Sequence, residues 1–138
     1  MENLDNKIAL VTGAARGIGY AVAKTFEENG AIVIYSDLHD TPPIEVNKYI
    51  KLDVRNEIEW QNAIAEITKN YGQLDILVNN AGITGFEDGF VPHDPENASL
   101  DDWRKVHETN LDGVFLGCKY AIKAMKPNGI GSIINISS

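Results

Sequence analysis

Three glycines within seven residues follow a short apolar run and open an amphipathic segment. Residues 7–12 are apolar enough for a buried strand, and residues 17–29 carry apolar side chains at helical spacing. In such a loop Gly13 lets the chain turn sharply, Gly17 lets the backbone approach a ligand, and Gly19 lets the helix pack close to the sheet. The free N–H groups at the start of the helix favour phosphate. The loop therefore predicts an α/β fold with a phosphate-binding turn.

Four further apolar segments alternate with amphipathic ones along the chain. They predict strands over residues 31–37, 49–53, 74–79 and 131–137. A helix over residues 57–71 begins at the cap residue Asn56, and a longer helix begins at the cap residue Ser99 and breaks at Pro127. Alternating strands and helices form right-handed βαβ units. The sequence therefore predicts a Rossmann-type, doubly wound parallel sheet, of which these residues supply strands one to five.

Apolar spacing also predicts which side of each helix is buried. The predicted inner residues are Ile18, Val22 and Phe26 in the first helix, Trp60, Ile64, Ile67 and Tyr71 in the second, and Leu100, Trp103, Val106, Asn110, Val114 and Cys118 in the third. The connection over residues 38–48 is so short that any helix in it has only a turn or two. The segment 82–98 is a long loop, which is either functional or a tolerated surface insertion.

Composition narrows the classes of partner. The 138 residues carry 12 Lys and Arg against 20 Asp and Glu, a net charge of −8, which disfavours nucleic acid and anionic membranes as partners. No apolar run approaches the ~20 residues of a membrane span. Cys118 is the single cysteine, so an internal disulfide is excluded and a cytoplasmic location is expected. The three histidines have no metal-ligand spacing, and we expect no metal site.

Asp37 ends the second predicted strand, 18 residues after Gly19. A carboxylate at this place accepts hydrogen bonds from the adenosine ribose hydroxyls of NAD and repels the 2′-phosphate of NADP. Arg16, in the glycine loop, favours NADP instead, because its guanidinium can pair with that phosphate. We expect NAD, with NADP as the less favoured cofactor; the alternative for Asp37 is a solvated strand end.

With these features together, the sequence resembles the short-chain dehydrogenase/reductase family, in its Thr-Gly-x-x-x-Gly-x-Gly subgroup. The motifs that carry the resemblance are Thr12-Gly13 with Gly17 and Gly19, Asp53-Val54, Asn79-Asn80-Ala81-Gly82, Asn110 within Glu-Thr-Asn-Leu, and the Gly-x-Ile-x-Asn-x-Ser-Ser strand at 131–138. Five motifs in the right order cover essentially the whole chain. The resemblance implies an NAD(P)-binding Rossmann domain over residues 1–138 that is incomplete at its C-terminal end.

The resemblance also assigns cofactor contacts. They are Gly13, Arg16, Gly17, Ile18, Gly19, Asp37, Leu38, Asp53, Val54, Asn79, Asn80, Ala81 and Gly82. Asp53 is placed near the adenine, and Asn79 and Asn80 near the ribose on the nicotinamide side. A purely structural polar corner is the alternative for Asn79.

For catalysis the resemblance implies hydride transfer between NAD(H) and a secondary alcohol or ketone. Ser138 would hold the substrate oxygen, and Asn110 would distort its helix and hold a water of a proton relay. The family's catalytic tyrosine and lysine belong to a Tyr-x-x-x-Lys motif expected about a dozen residues beyond Ser138. The same spacing at Tyr20 and Lys24 lies in the first helix, directly after the phosphate loop, and is not expected to be catalytic.

The chain is therefore expected to be the N-terminal portion of a longer enzyme and to be inactive alone. The fifth strand would otherwise be an exposed apolar edge. The resemblance further implies a homodimer or homotetramer when full length, built on the helix that begins at Ser99. Phe86, Phe90 and Val91 of the long loop are candidates to line an apolar substrate site.

Two other interpretations remain at this point. One is a non-catalytic dinucleotide-binding module that is complete at 138 residues. The other is a five-strand phosphoacceptor signalling domain with Asp53 as the acceptor, but such a domain needs an acidic pair after strand one and a lysine after strand five. The chain has Thr12-Gly13 and Ser137-Ser138 there instead.

Overall fold

Five strands form one parallel sheet in the computed structural model, which describes residues 3–137. They are β1 (Ile8–Thr12), β2 (Ile32–Asp37), β3 (Tyr49–Lys51), β4 (Ile76–Asn79) and β5 (Ser132–Asn135). Their order across the sheet is β3-β2-β1-β4-β5, and every neighbouring pair is parallel. The chain builds outward from β1 to β3, then crosses to β4 on the other side, so the strand order reverses between β1 and β4. This confirms the predicted α/β, Rossmann-type architecture.

Four α-helices accompany the sheet. They are α1 (Gly17–Glu28), α2 (Glu57–Tyr71), α3 (Leu100–His107) and α4 (Gly113–Met125). The predicted caps are present: Asn56 Oδ1 accepts from the amides of Ile58 and Glu59, and Ser99 Oγ accepts from the amide of Asp102. Among the described residues, no helix combines the length and apolar character needed to cross a membrane.

The sheet is covered on both faces, which explains the continuous apolar run of β1. All five residues of β1 are buried, because this strand lies at the centre of the sheet. On one face the core contains residues of the sheet, α2 and α4, including Leu10, Leu77, Trp60, Ile67 and Tyr120. On the other face it contains Val11, Val33, Tyr35, Val78 and Ala23. Alternate residues along a strand thus point into the two cores on opposite faces of the sheet.

The predicted single helix after Ser99 is divided. A π-helical turn, Glu108–Asp112, separates α3 from α4, and Lys126–Asn128 forms a final 3₁₀ turn. The extra residue in a π turn rotates the following face by about 100°. The predicted inner face is wrong in part. Before the π turn, the structure buries no residue of α3, and Leu100 and Trp103 are about 60% exposed. After it, α4 is buried through Leu116, Gly117, Tyr120, Ala121 and Met125, whereas Val114 and Cys118 are only half-buried.

Smaller expectations are also corrected. Ile18 is 64% exposed, because α1 begins at the rim of the sheet and turns this position outward. The third strand ends at Lys51 and not at Asp53, since Lys51 is the last residue that pairs with β2. The connection over residues 38–48, all of which the structure describes, contains no helix.

Candidate functional site

A cavity of about 1090 Å³ opens at the carboxyl ends of β1, β2 and β4. This is the edge of an open parallel sheet at which ligands bind, next to the point where the strand order reverses. Eleven of the thirteen predicted cofactor-contacting residues line it: Gly13, Arg16, Gly17, Ile18, Asp37, Leu38, Asp53, Val54, Asn80, Ala81 and Gly82. The fold thus gathers predicted residues from four separate segments of the chain around one space.

The glycine loop forms one wall of the cavity. Gly13 and Gly17 adopt positive φ values of 63° and 56°, which L side chains rarely adopt. Apart from the residues next to Gly17 in the chain and the backbone of its own helix, no atom of the described residues would lie within 4 Å of a Cβ added there, so the space above this residue is open to a ligand. Arg16 is the N-cap of α1, and within the described part of the chain its side chain makes no capping bond. The first turn therefore presents N–H donors and the positive end of the helix dipole to the cavity.

Gly19 has a different role from Gly17, because it is packed. A Cβ added there would lie 2.3 Å from the carbonyl oxygen of Gly13 and 2.4 Å from Nδ2 of Asn80. Asn80 in turn donates from Nδ2 to the carbonyl oxygens of Thr12 and Gly13, at 3.0 and 3.2 Å. Gly19 is not among the described residues that line the cavity. Its lack of a side chain lets α1 approach the end of β4.

Thr12 is a site residue to which sequence reasoning gave no role of its own. Its Oγ1 accepts from the amides of Asn80 and Ala81, at 3.1 and 3.0 Å, and lies 3.4 Å from the carbonyl oxygen of Val78. The hydroxyl joins the ends of β1 and β4 immediately below the cavity. The sequence signal that could have identified Thr12 is a hydroxyl residue at the end of a buried strand, directly before the first glycine of the loop.

Asp37 is held beside the glycine loop by two backbone donors. Its Oδ2 accepts from the amide of Ala15 at 3.1 Å, and its Oδ1 accepts from the amide of Leu38 at 2.8 Å. Both carboxylate oxygens are thereby fixed at the carboxyl end of β2, facing the cavity. Each oxygen keeps acceptor capacity for a further hydrogen bond.

Asp53 lies two residues beyond β3 and is paired with Arg55. Its Oδ1 accepts from Nε and its Oδ2 from Nη2 of Arg55, at 2.9 and 2.7 Å. The hydrogen bonds from Arg55 hold the pKa of Asp53 below its usual range, against the opposing effect of desolvation. The backbone amide of Asp53 donates to Glu59 Oε2 at 2.6 Å, which ties this turn to α2.

The structure does not bring Asn79 to the cavity. Asn79 is 3% exposed, and its Nδ2 donates to Oδ1 of Asn135 at 2.9 Å, across the β4–β5 pair. Successive side chains at a strand end point to opposite faces, so Asn79 and Asn80 separate. The structure thus gives Asn79 the place that the structural alternative expects, a buried polar bridge between two strands, and its ribose contact stays a prediction.

Asn110 occupies the π turn and anchors the loop that follows β4. Its Oδ1 accepts from the amide of Ile83, and its Nδ2 donates to the carbonyl oxygen of the same residue, both at 2.8 Å. The side chain therefore fixes the start of the long loop against the helix. One hydrogen of Nδ2 and one lone pair of Oδ1 remain for a further partner.

Comparison with known proteins then identifies the family. The family model described as short chain dehydrogenase matches residues 7–138. The chain belongs to the short-chain dehydrogenase family. The matched region contains all five motifs that carried the resemblance.

Relatives and solved structures agree with this assignment. The chain is 38% identical to a borneol dehydrogenase, labelled mitochondrial, of Lavandula x intermedia, over 100% of the chain and 54% of the relative. It is 37% identical to a 3-beta-hydroxysteroid dehydrogenase of Comamonas testosteroni, over 98% of the chain and 53% of the relative. The ligand-free aldohexose dehydrogenase of Thermoplasma acidophilum superposes with a TM-score of 0.86 at 38% identity, covering 98% of this chain and 50% of that one. The chain thus spans about half the length of these relatives.

Other predicted residues are placed as follows. Ser138, the predicted substrate-binding hydroxyl, lies outside the residues that the structure describes. Phe90 and Val91 of the long loop line the cavity, with Phe90 86% exposed and stacked 6.0 Å from Phe86. Tyr20 packs against Tyr35 at 6.2 Å in the second core, away from the cavity.

Proposed function

We propose that the full-length protein is an NAD-dependent oxidoreductase that acts on a secondary alcohol or ketone. The observation that carries this proposal is the Asp37 carboxylate, fixed by the amides of Ala15 and Leu38 beside the open space above Gly17. A dinucleotide fits this donor and acceptor set, with pyrophosphate at the glycine loop and ribose at Asp37. When bound, the nicotinamide supplies or accepts the hydride.

The preference for NAD over NADP rests on charge. Asp37 accepts from the ribose hydroxyls and repels a phosphate on the same ribose, because both would be anionic at neutral pH. Arg16 also lines the cavity and offers the only counter-argument among the loop residues, since a guanidinium pairs with phosphate. The Asp37 carboxylate is fixed by two hydrogen bonds. We therefore propose that its negative charge, and not the positive charge of Arg16, determines the cofactor preference.

The catalytic groups are proposed from the family pattern. Ser138 would hold the substrate oxygen, and Asn110 would hold a water through the hydrogen-bonding positions that Ile83 leaves free. The one Tyr-x-x-x-Lys spacing within residues 1–138 is Tyr20 to Lys24, in α1, where Lys24 pairs with Glu27 at 3.6 Å. We therefore propose that these 138 residues bind the dinucleotide without turning over an alcohol.

The relatives support an alcohol as substrate, since their names include borneol and 3-beta-hydroxysteroid dehydrogenases. Phe90 and Val91 give the cavity an apolar wall, which favours a secondary alcohol with an apolar body. The exposed Leu111, Phe115 and Ile122 support a homodimer or homotetramer of the full-length protein. A cytoplasmic location is proposed from the single cysteine.

The cofactor assignment is tested by changing Asp37→Ala. We expect the NADH dissociation constant to rise about tenfold and the NADPH constant to fall, because a ribose acceptor is lost and the repulsion of the 2′-phosphate ends. Titration with each nucleotide, followed by nucleotide fluorescence, measures both constants. Asp40→Ala is the matched control: it removes an equal charge from the next loop, where Asp40 is exposed and pairs with Lys51 at 2.7 Å. Tighter NADPH than NADH binding by the unmodified chain would refute the assignment.

The oxidoreductase proposal is tested on the natural gene product. Its intact mass and its reading frame beyond Ser138 show whether a Tyr-x-x-x-Lys segment follows. NADH formation with a panel of secondary alcohols then measures turnover. A chain that ends at Ser138 and binds NADH without any turnover would favour the non-catalytic module instead.

A further inference from the structure

Arg55 is a cavity residue to which neither the motifs nor the relatives assign a role. It lines the same cavity as Gly17, Asp37 and Asn80, at the end formed by the segment after β3. Its side chain is 45% exposed, and the residue belongs to a turn in which the amide of Asn56 donates to the carbonyl oxygen of Asp53. A cation at this end of a dinucleotide cavity needs an explanation.

The guanidinium is held in one orientation. Nε and Nη2 bond the two oxygens of Asp53 at 2.9 and 2.7 Å, which is the two-pronged geometry that fixes the plane of an arginine. The backbone amide of Arg55 adds a third bond to Asp53 Oδ1 at 3.0 Å. The turn is itself fixed, because the amide of Asn56 donates to the Asp53 carbonyl oxygen and the Asp53 amide donates to Glu59.

These bonds use one edge of the guanidinium and leave its two faces uncovered by that pairing. A planar guanidinium stacks on aromatic rings, and one already oriented by a carboxylate loses little conformational freedom when it does so. The Asp53 carboxylate also balances its charge, so the pair does not act as a free cation toward the distant phosphates. The structure thus presents a flat, pre-oriented surface to whatever occupies this end of the cavity.

We propose that Arg55 binds the nucleobase of the dinucleotide by stacking its guanidinium plane on the adenine ring, with Asp53 as the residue that holds the plane in place. The inference rests on the proposed function, because it needs a dinucleotide in this cavity. Asp37 marks the ribose position and Gly17 the pyrophosphate position in this proposal. The segment after β3 adjoins Asp37, because the amide of Leu52 donates to the Asp37 carbonyl oxygen at 2.9 Å, and it is the wall that we assign to the base. Arg55 is then a specificity residue for ligands that carry a purine.

The test compares a ligand that carries the base with one that lacks it. Calorimetric titration of the chain with ADP-ribose and with inorganic pyrophosphate measures both affinities for the unmodified chain and for Arg55→Ala. We expect Arg55→Ala to weaken ADP-ribose about tenfold and to leave pyrophosphate within about twofold. Arg55→Gln, which keeps most of the aliphatic stem, should give the same result if the alanine variant folds poorly. Arg104→Ala is the matched control, because it removes an equal charge from an exposed pair with Asp101.

A spectroscopic readout separates stacking from a merely structural role. The Nε–H resonance of Arg55, assigned by its absence in Arg55→Gln, should move upfield when ADP-ribose is added, because a stacked ring shields it. Ribose 5-phosphate, which has no base, should leave it in place. Three results would each overturn the inference: Arg55→Ala weakens ADP-ribose and pyrophosphate binding equally, it does not weaken ADP-ribose binding, or the Nε–H resonance does not move upfield. Failure of the unmodified chain to bind ADP-ribose at all would overturn the proposed function together with it.

Discussion

At the scale of single residues, two glycines of one loop are required for opposite reasons. Gly17 has a positive φ and empty space where a side chain would be, whereas Gly19 has a carbonyl oxygen and an amide nitrogen within 2.4 Å of that position. The first glycine leaves room for a ligand and the second leaves room for Asn80 and the end of β1. Ligand affinity and stability therefore depend on different members of the same motif.

Alanine substitution at each glycine should separate the two roles. Gly17→Ala should cost about 1 kcal/mol of the free energy of unfolding, from the positive φ, and weaken ADP-ribose more than tenfold because the methyl group enters the phosphate space. Gly19→Ala should cost about 3 kcal/mol, from the clash with the Gly13 carbonyl. Urea unfolding and calorimetric titration of both variants measure these effects. Equal loss of stability in the two variants would contradict this division.

Most of the cofactor contacts that residue types and spacing predict line the cavity, but the direction of every side chain is not predictable in this way. Asp37 was predicted because a carboxylate at a strand end has a simple chemical use. Asn79 and Asn80 cannot be told apart by residue type, and only the alternation of side chains along the strand separates them and buries Asn79 against Asn135. The pairing of Asp53 with Arg55 was missed, because nothing in a two-residue spacing distinguishes a paired arginine from a solvated one.

At the scale of elements, the π turn links the long loop to the helix. Asn110 lies in this turn and makes two bonds to the backbone of Ile83. Asn110→Ala should release the loop without unfolding α4, since the buried residues of α4 lie beyond the turn. Hydrogen exchange should become faster in residues 83–91 and stay unchanged in α2. Unchanged exchange in the loop would show that other contacts, such as those of Glu87 with Thr84 and Gly85, suffice to hold it.

A second element-scale contact joins α2 to α4 and titrates. Glu57 Oε1 accepts from Lys119 Nζ at 2.6 Å and from the Tyr120 hydroxyl at 2.7 Å. The hydrogen bond from Lys119, followed by that from Tyr120, lowers the pKa of Glu57. Because the folded pKa is the lower one, this contribution is fully present above the unfolded pKa of about 4.3 and is lost as the pH falls through the folded value.

Glu57→Gln should therefore lower the free energy of unfolding most near neutral pH. The decrease of that free energy on acidification should also become less steep. Urea unfolding between pH 3 and 7, roughly the range over which carboxylates titrate, measures the difference. Glu66→Gln on the same helix is the control. A difference between Glu57→Gln and the unmodified chain that grows toward low pH would contradict the assigned sign.

Local signals predicted the caps and the order of elements well, because they depend on neighbours in sequence. Asn56 and Ser99 have the side chains and spacing that helix starts require. The π turn left no such signal, since a single inserted residue in an apolar pattern still reads as one helix. The buried face of α4 is consequently rotated from the predicted one, so that Val114 and Cys118 are half-buried and Gly117 and Ala121 are buried.

At the scale of the whole molecule, β5 lies at the edge of the sheet with Ile134 and Ile136 about 40% exposed. An apolar edge strand favours association. Ile134→Lys should lower the self-association of the 138-residue chain, as measured by light scattering over a range of concentrations. Ile58→Lys, which makes the same change at a 66% exposed position of α2, is the control. Equal effects of both variants would show that added charge, and not the edge, is responsible.

The architecture was predictable because alternating strands and helices allow few arrangements, and the glycine loop selects among them. The segment at the far end of the cavity was less predictable. The long loop, α3 and the Asp53–Arg55 turn line this end together although they are far apart along the chain, and no local pattern encodes that arrangement.

The central claim is that this cavity binds NAD, and titration of the unmodified chain with NADH and NADPH tests it most directly. The account predicts that NADH binds and that NADPH binds at least about tenfold more weakly, because Asp37 accepts from a ribose hydroxyl and repels a phosphate. Binding of neither nucleotide, or NADPH binding as tight as NADH binding, would contradict it.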